Sequence, residues 1–130
     1  MTYVCPICAI HPSSHSLTQH DRVYYTCPSK AKRYNDTLGI INHYEGVLGE
    51  INEPWTWVFD GDGFNLEHSM QIDLGIKLAG VISKYSQHLE KIIIINPTIY
   101  VYVIYNVLYP FMNAKMKQIV EFNTTFLFHP

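Results

Sequence analysis

The sequence predicts a single α/β domain, a mostly parallel β-sheet with packed helices. Short β-branched and aromatic runs, at Arg22–Thr26, Trp55–Phe59 and Ile92–Ile95, alternate with segments whose apolar residues recur every three or four positions. Ile92–Ile95 is continuous and β-branched, the pattern of a strand covered on both faces in a parallel sheet. Alternating strands and helices, joined by right-handed crossovers, give an α/β sandwich.

In chain order, Arg22–Thr26 is the first expected strand, ended by Pro28-Ser29. Asp36 or Thr37 then caps a helix to about Leu48, with Leu38, Ile41, Tyr44 and Leu48 on one face. Trp55–Phe59 is entered through Pro54 and left through Asp60-Gly61-Asp62-Gly63. The clearest helix carries Leu74, Leu78, Val81, Ile82, Tyr85 and Leu89 as one apolar stripe, with Lys77, Lys84 and Gln87 away from it. Asn96-Pro97 ends the isoleucine strand and suits a helix start, Pro being well placed at the first helical position. Thr98–Tyr109 fits either a helix or a strand, because its residues are β-branched and aromatic. A last strand includes Gln118–Phe122.

At 130 residues and 48% hydrophobic, the chain fits one domain with a real core. It divides into a Cys/His-rich head (1–19), a core (20–123) and a brief tail (124–130). The net charge of −2 and the lack of a basic block exclude nucleic-acid binding as a leading function. The N-terminus lacks the basic start and apolar run of a secretory signal, so a cytoplasmic protein is expected. Thr98–Met112 is the longest apolar stretch, broken by Asn106 and Pro110. It falls short of the ~20 residues that cross a bilayer, which leaves contact with a membrane surface as its reach. The Asn123-Thr124-Thr125 sequon is read as chance in a protein without a signal.

Three cysteines cannot all pair within one chain, and in a reducing compartment they read as thiols or metal ligands. Cys5 and Cys8, separated by two residues, can form half of a tetrahedral zinc site. The other half is open among His15, His20 and Cys27. Four protein ligands would make such a zinc structural; the competing reading is free thiols beside solvated histidines. His43, His68, His88 and His129 read as surface or satisfied core residues. Thr125–Phe128 is an apolar end that is costly to leave in water, so it docks on the body or on a second copy, which favours a homodimer.

Asp60-Gly61-Asp62-Gly63 after an apolar strand looks like the first motif of haloacid dehalogenase-type phosphatases. In that motif one carboxylate attacks phosphorus and another, two residues on, exchanges a proton, with magnesium at the phosphate. Phe64 stands where a hydroxyl residue is usual, no later acidic pair completes the magnesium site, and nothing selects among Lys91, Lys115 and Lys117 as the cation. The competing reading is a structural turn, with Gly supplying unusual backbone angles and Asp capping nearby amides.

Asp21–Gly46, Trp57-Val58-Phe59-Asp60-Gly61-Asp62-Gly63-Phe64, Leu89–Pro97 and Pro110-Phe111-Met112 with Lys115 together resemble the CRAL-TRIO family of lipid-binding and lipid-transfer domains. The resemblance covers about the last four-fifths of the chain. It implies a parallel sheet flooring an apolar pocket, covered by a gating helix that dips into a membrane surface. By this resemblance Tyr100–Met112 is that helix, which chooses between the two local readings of the segment. Its tyrosines at 102, 105 and 109 share a face, with Val103, Ile104, Val107, Leu108 and Phe111 as the lining of a lipid pocket or, equally, as core. Against the family pattern, the chain is expected to lack room for the helical region that usually precedes the domain and to stop soon after the strand that follows the gate. The resemblance implies non-enzymatic binding of a lipid or other hydrophobic small molecule, and it also permits a protein-interaction scaffold, for a small GTPase or for self-association.

Overall fold

The computed structural model describes residues 2–3, 18–20, 22–30 and 37–123. A six-stranded sheet runs in chain order from β1 (Thr2–Tyr3), β2 (Thr18–His20) and β3 (Val23–Thr26) to β4 (Trp55–Asp60), β5 (Leu89–Ile95) and β6 (Val120–Asn123). β1, β2 and β3 pair antiparallel, and β3 to β6 are all parallel. The mostly parallel α/β sheet expected from the sequence is therefore present. Its helices are α1 (Thr37–Leu48), α2 (Leu66–Ser69), α3 (Ile72–Lys84), α4 (Ile99–Leu108) and α5 (Ala114–Ile119).

Because successive parallel strands step the same way across the sheet, right-handed crossovers place their helices on one face. That face carries two cross-strand rows. Tyr24, Trp57, Ile92 and Val120 pair across β3–β6, and Thr26, Phe59, Ile94 and Phe122 form the next row. Ile40, Tyr44, Leu74, Leu78, Ile82, Val101 and Ile104 from the helices bury against it. The other face holds a smaller buried cluster of Tyr25, Cys27, Val58 and Ile95. Both faces of β5 are thus apolar, as its isoleucine run requires.

Several local expectations are corrected. In α1 the buried face is Ile40, His43, Tyr44, Val47 and Leu48, one step around from the stripe read in sequence, and Leu38 is 72% exposed. α3 ends at Lys84, and Leu89 belongs to β5. A 3-10 turn at Ser86–His88 intervenes, with the Ser86 hydroxyl donating to the Ser83 carbonyl at 2.8 Å. Leu89 continues the helical spacing of Tyr85 only by coincidence. Gln118 is helical, because Asn113 caps α5 through its Oδ1, which accepts from the Met116 N–H at 2.9 Å. Pro97 precedes the N-cap Thr98 and lies outside the helix. α4 closes at Leu108 into a 3-10 turn around Pro110, short of Met112.

The carboxyl ends of β3, β4 and β5 are joined by Asp60, a buried carboxylate. Its Oδ2 accepts from the Tyr25 hydroxyl at 2.5 Å, and its Oδ1 accepts from the Asp62 N–H at 2.9 Å and the Asn96 amide at 3.1 Å. Burial first, then the bond to Asp60, raises the Tyr25 pKa above its ordinary value. The folded state therefore holds the Tyr25 proton more tightly than the unfolded chain does. The associated stability is intact below about pH 10 and is lost as the pH rises beyond it. Tyr25→Phe is expected to cost roughly 1.5–3 kcal/mol in urea unfolding near neutral pH, since it removes a hydrogen bond to a charged group. It should also flatten the alkaline fall in stability, to which one such group adds at most ~1.4 kcal/mol per pH unit. Identical pH slopes in the two proteins would contradict this role for Tyr25.

Candidate functional site

The helical layer leaves a gap. Between the sheet and α4 lies a cavity of about 110 Å³. Its floor is Trp57, Phe59, Ile92, Ile94 and Val120 with Thr26, the two cross-strand rows described above. Gly75, Leu78 and Ala79 of α3 form one wall beside Tyr44, and Phe64, His68 and Gln71 form another. Val101, Ile104, Tyr105 and Leu108 of α4 roof it, with Met112 and Met116 closing the far end.

The gap follows from side-chain size. Gly75 and Ala79, one helical turn apart, present almost no side chain where a Leu would fill the space. A methyl group added at Gly75 would lie 3.1 Å from Leu108 Cδ1, so α4 already rests against α3 there. Roof and wall touch at Gly75 and part beyond it.

Polar contacts fix the start of the roof. Asn96 is held at φ 48° with its amide on Asp60, and the Thr98 hydroxyl donates to the Phe64 carbonyl at 2.6 Å. A methyl group on Gly61 would lie 2.9 Å from both the Asn96 carbonyl oxygen and Val101 Cγ2, so only glycine allows this close approach of β4 to the roof. Gly63 takes the φ of 76° that the turn requires. Beyond the roof, Lys115 Nζ donates to the Ser86 and Gln87 carbonyls at 2.7 and 3.0 Å, and Asn113 donates to Ser86 Oγ at 3.1 Å.

The polar groups of the lining are engaged with one another. Trp57 Nε1 donates to Thr26 Oγ1 at 2.9 Å, and that oxygen lies 2.8 Å from the Tyr44 hydroxyl. His68 stacks on Phe64 with ring centroids 5.2 Å apart, and its Nδ1 accepts the Asn65 N–H at 3.0 Å in a capping box. Burial lowers the His68 pKa, opposed by Glu67, so the ring is neutral at pH 7. Burial raises that of Tyr105.

Of the five residues expected to line a pocket, Ile104 and Leu108 face the cavity. Val103, Val107 and Phe111 are 50, 38 and 50% exposed and are not among its lining. Ile99 is exposed on the same helix, as are Leu66 of the adjoining α2 and Met70 just after it. Phe122 stacks on Tyr102 and meets Tyr105 edge-on, which ties α4 to β6. The resemblance implied a sheet floor but named none of its residues, and sequence reading missed His68, Gln71, Gly75 and Ala79. The Asn65-x-x-His68 spacing was a signal for the capping box, and the small residues beside the Leu74–Leu78 stripe were a signal for a gap.

The other candidate residues that are described do not line the cavity. Asp60 is occupied by three protein donors, and Asp62 is exposed. Lys115 is committed to backbone carbonyls, Lys117 lies over the Tyr109 ring, and Lys91 is exposed on β5. Cys5, Cys8, His15 and the Thr125–Phe128 tail lie outside the described residues, as does the side chain of His20. Cys27 is buried, with Sγ 3.4 Å from Ser29 Oγ. Among the described residues no three His, Cys, Asp or Glu side chains cluster as metal ligands, and no helix is long and apolar enough to cross a membrane.

A model of the CRAL/TRIO domain matches residues 2–127. No curated protein matches the chain.

Proposed function

The chain belongs to the CRAL/TRIO domain family, and on that premise we propose that it binds a lipid or other hydrophobic small molecule, without catalysis, in the cavity beneath α4. Membership supports hydrophobic-ligand binding in general. The observation that carries the particular reading is an apolar gap retained in an otherwise close-packed layer. By the ~24 cal/mol per Å³ found for enclosed engineered cavities, 110 Å³ would forfeit at most about 2–3 kcal/mol, and the opening of this pocket to solvent lowers that figure. An apolar occupant restores those contacts.

Size bounds what fits. A cavity of ~150 Å³ lined by aliphatic and aromatic side chains takes one benzene-sized molecule, so this one, at about 110 Å³, accommodates at most a small ring or a short hydrocarbon segment as it stands. A larger ligand requires α4 to lift. The outward apolar residues of α4 and of α2 with its C-cap, Ile99, Val103, Val107, Leu66 and Met70, suit contact with a membrane surface from which such a ligand is drawn.

Ala79→Leu would fill the gap from a helical position that favours leucine. It is expected to abolish retention of hydrophobic molecules, measured by native mass spectrometry and solvent extraction, while the melting temperature stays level or rises. Undiminished ligand in this variant would overturn the assignment of the cavity. The pair Ile99→Ser and Met70→Ser, neither residue lining the cavity, should keep ligand capture in solution but slow its transfer from anionic phospholipid vesicles severalfold. Equal transfer rates would remove the membrane role of this face.

A further inference from the structure

The chemistry of the lining limits which hydrophobic molecule can enter. None of the described residues around the cavity is Lys, Arg, Asp or Glu. Its hydroxyl-bearing floor is self-satisfied, because Thr26 Oγ1 accepts from Trp57 Nε1 and pairs with the Tyr44 hydroxyl. His68, neutral at pH 7, spends its Nδ1 on the Asn65 backbone. Among the described lysines, Lys77 pairs with Asp73, Lys84 with Glu45, Lys115 with two carbonyls and Lys117 lies over Tyr109, while Lys91 is exposed on β5 and does not line the cavity. Gln71, half-buried at the edge of the lining, has no side-chain bond to the start of α3.

An anionic headgroup drawn fully into this cavity would lose its water and gain no cation; the hydroxyls of the lining are those of Thr26 and Tyr44, paired with each other, and of Tyr105, none of which carries a positive charge. An unpaired charge in such surroundings is strongly disfavoured, whereas each buried methylene contributes about 0.8 kcal/mol.

Resting on the reading of the cavity as a ligand site, we propose that this site selects uncharged ligands: a hydrocarbon ring or chain bearing at most a hydroxyl or carbonyl, which it holds without a charged anchor. Gln71 is the polar group placed to meet such a hydroxyl or carbonyl.

A matched pair tests this. Octanol and octanoate, the acid fully ionised, share the chain and differ in the charge. Their binding to the full chain is compared by displacement of a neutral fluorescent hydrophobe, with Ala79→Leu as the control for the cavity. Octanol is expected to compete and octanoate to bind on the order of a hundredfold more weakly. Gln71→Lys, a change at a half-exposed position, should narrow that gap by strengthening octanoate while leaving octanol within about twofold. Octanoate binding as tightly as octanol, with both lost in Ala79→Leu, would overturn the charge selection and leave the ligand site standing. Binding of neither, or binding unaffected by Ala79→Leu, would overturn the ligand site and this inference with it.

Discussion

A buried carboxylate at the end of the central strand holds this domain's working parts in place. Asp60 sits where β4 leaves the sheet and accepts hydrogen bonds from β3, from its own turn and from the turn after β5. An ionised carboxyl group in such a position is tolerated only when its oxygens are satisfied, and removing one partner exposes the full desolvation cost. Satisfying Asp60 therefore brings Tyr25, Asp62 and Asn96 together. With Asn96 held in its left-handed conformation, the chain delivers Thr98 to the Phe64 carbonyl and starts α4 at a set height above the sheet. The acidic turn thereby acts as the mount of the roof helix. The same bonds give the first carboxylate of the Asp-Gly-Asp-Gly motif a structural role.

Given a roof at fixed height, what lies beneath it depends on side-chain volume. The aromatic and isoleucine floor is bulky and buried, and Tyr44 and Leu78 close in from the sides. Gly75 admits Leu108 to contact, and Ala79 leaves the remaining space open. Protein interiors ordinarily close such gaps, because every missing methylene forfeits dispersion contacts. A sequence that is locally consistent elsewhere and underpacked here departs from that rule at the place where the proposed ligand would sit.

The strands at 22–26, 55–59 and 92–95 were legible because each is short, β-branched or aromatic, and bounded by turn residues, so local pattern and global role agree. α4 was not legible from its residues alone, since Val, Ile and Tyr favour strands as readily. Its helical state follows from the Asn96 turn and the Thr98–Phe64 bond, contacts made across some 34 residues. Gln118 misled for a similar reason, as the Asn113 cap decides it. The cavity was half legible. Ile104 and Leu108 stood out as apolar residues of a roof, but the rows Trp57–Ile92 and Phe59–Ile94 exist only once the register of the parallel strands is known. Small residues such as Gly75 and Ala79 carry little signal in a hydrophobicity pattern, although they create the space.

Methyl-resolved NMR of the isoleucines, titrated with a neutral hydrophobe such as octanol, tests most directly whether the space beneath α4 receives a ligand. The account predicts shifts at Ile92, Ile94 and Ile104, which line the cavity, with Ile72 and Ile99 on the exterior unmoved. Shifts confined to Ile72 and Ile99, with the three interior methyls unchanged at saturation, would contradict it.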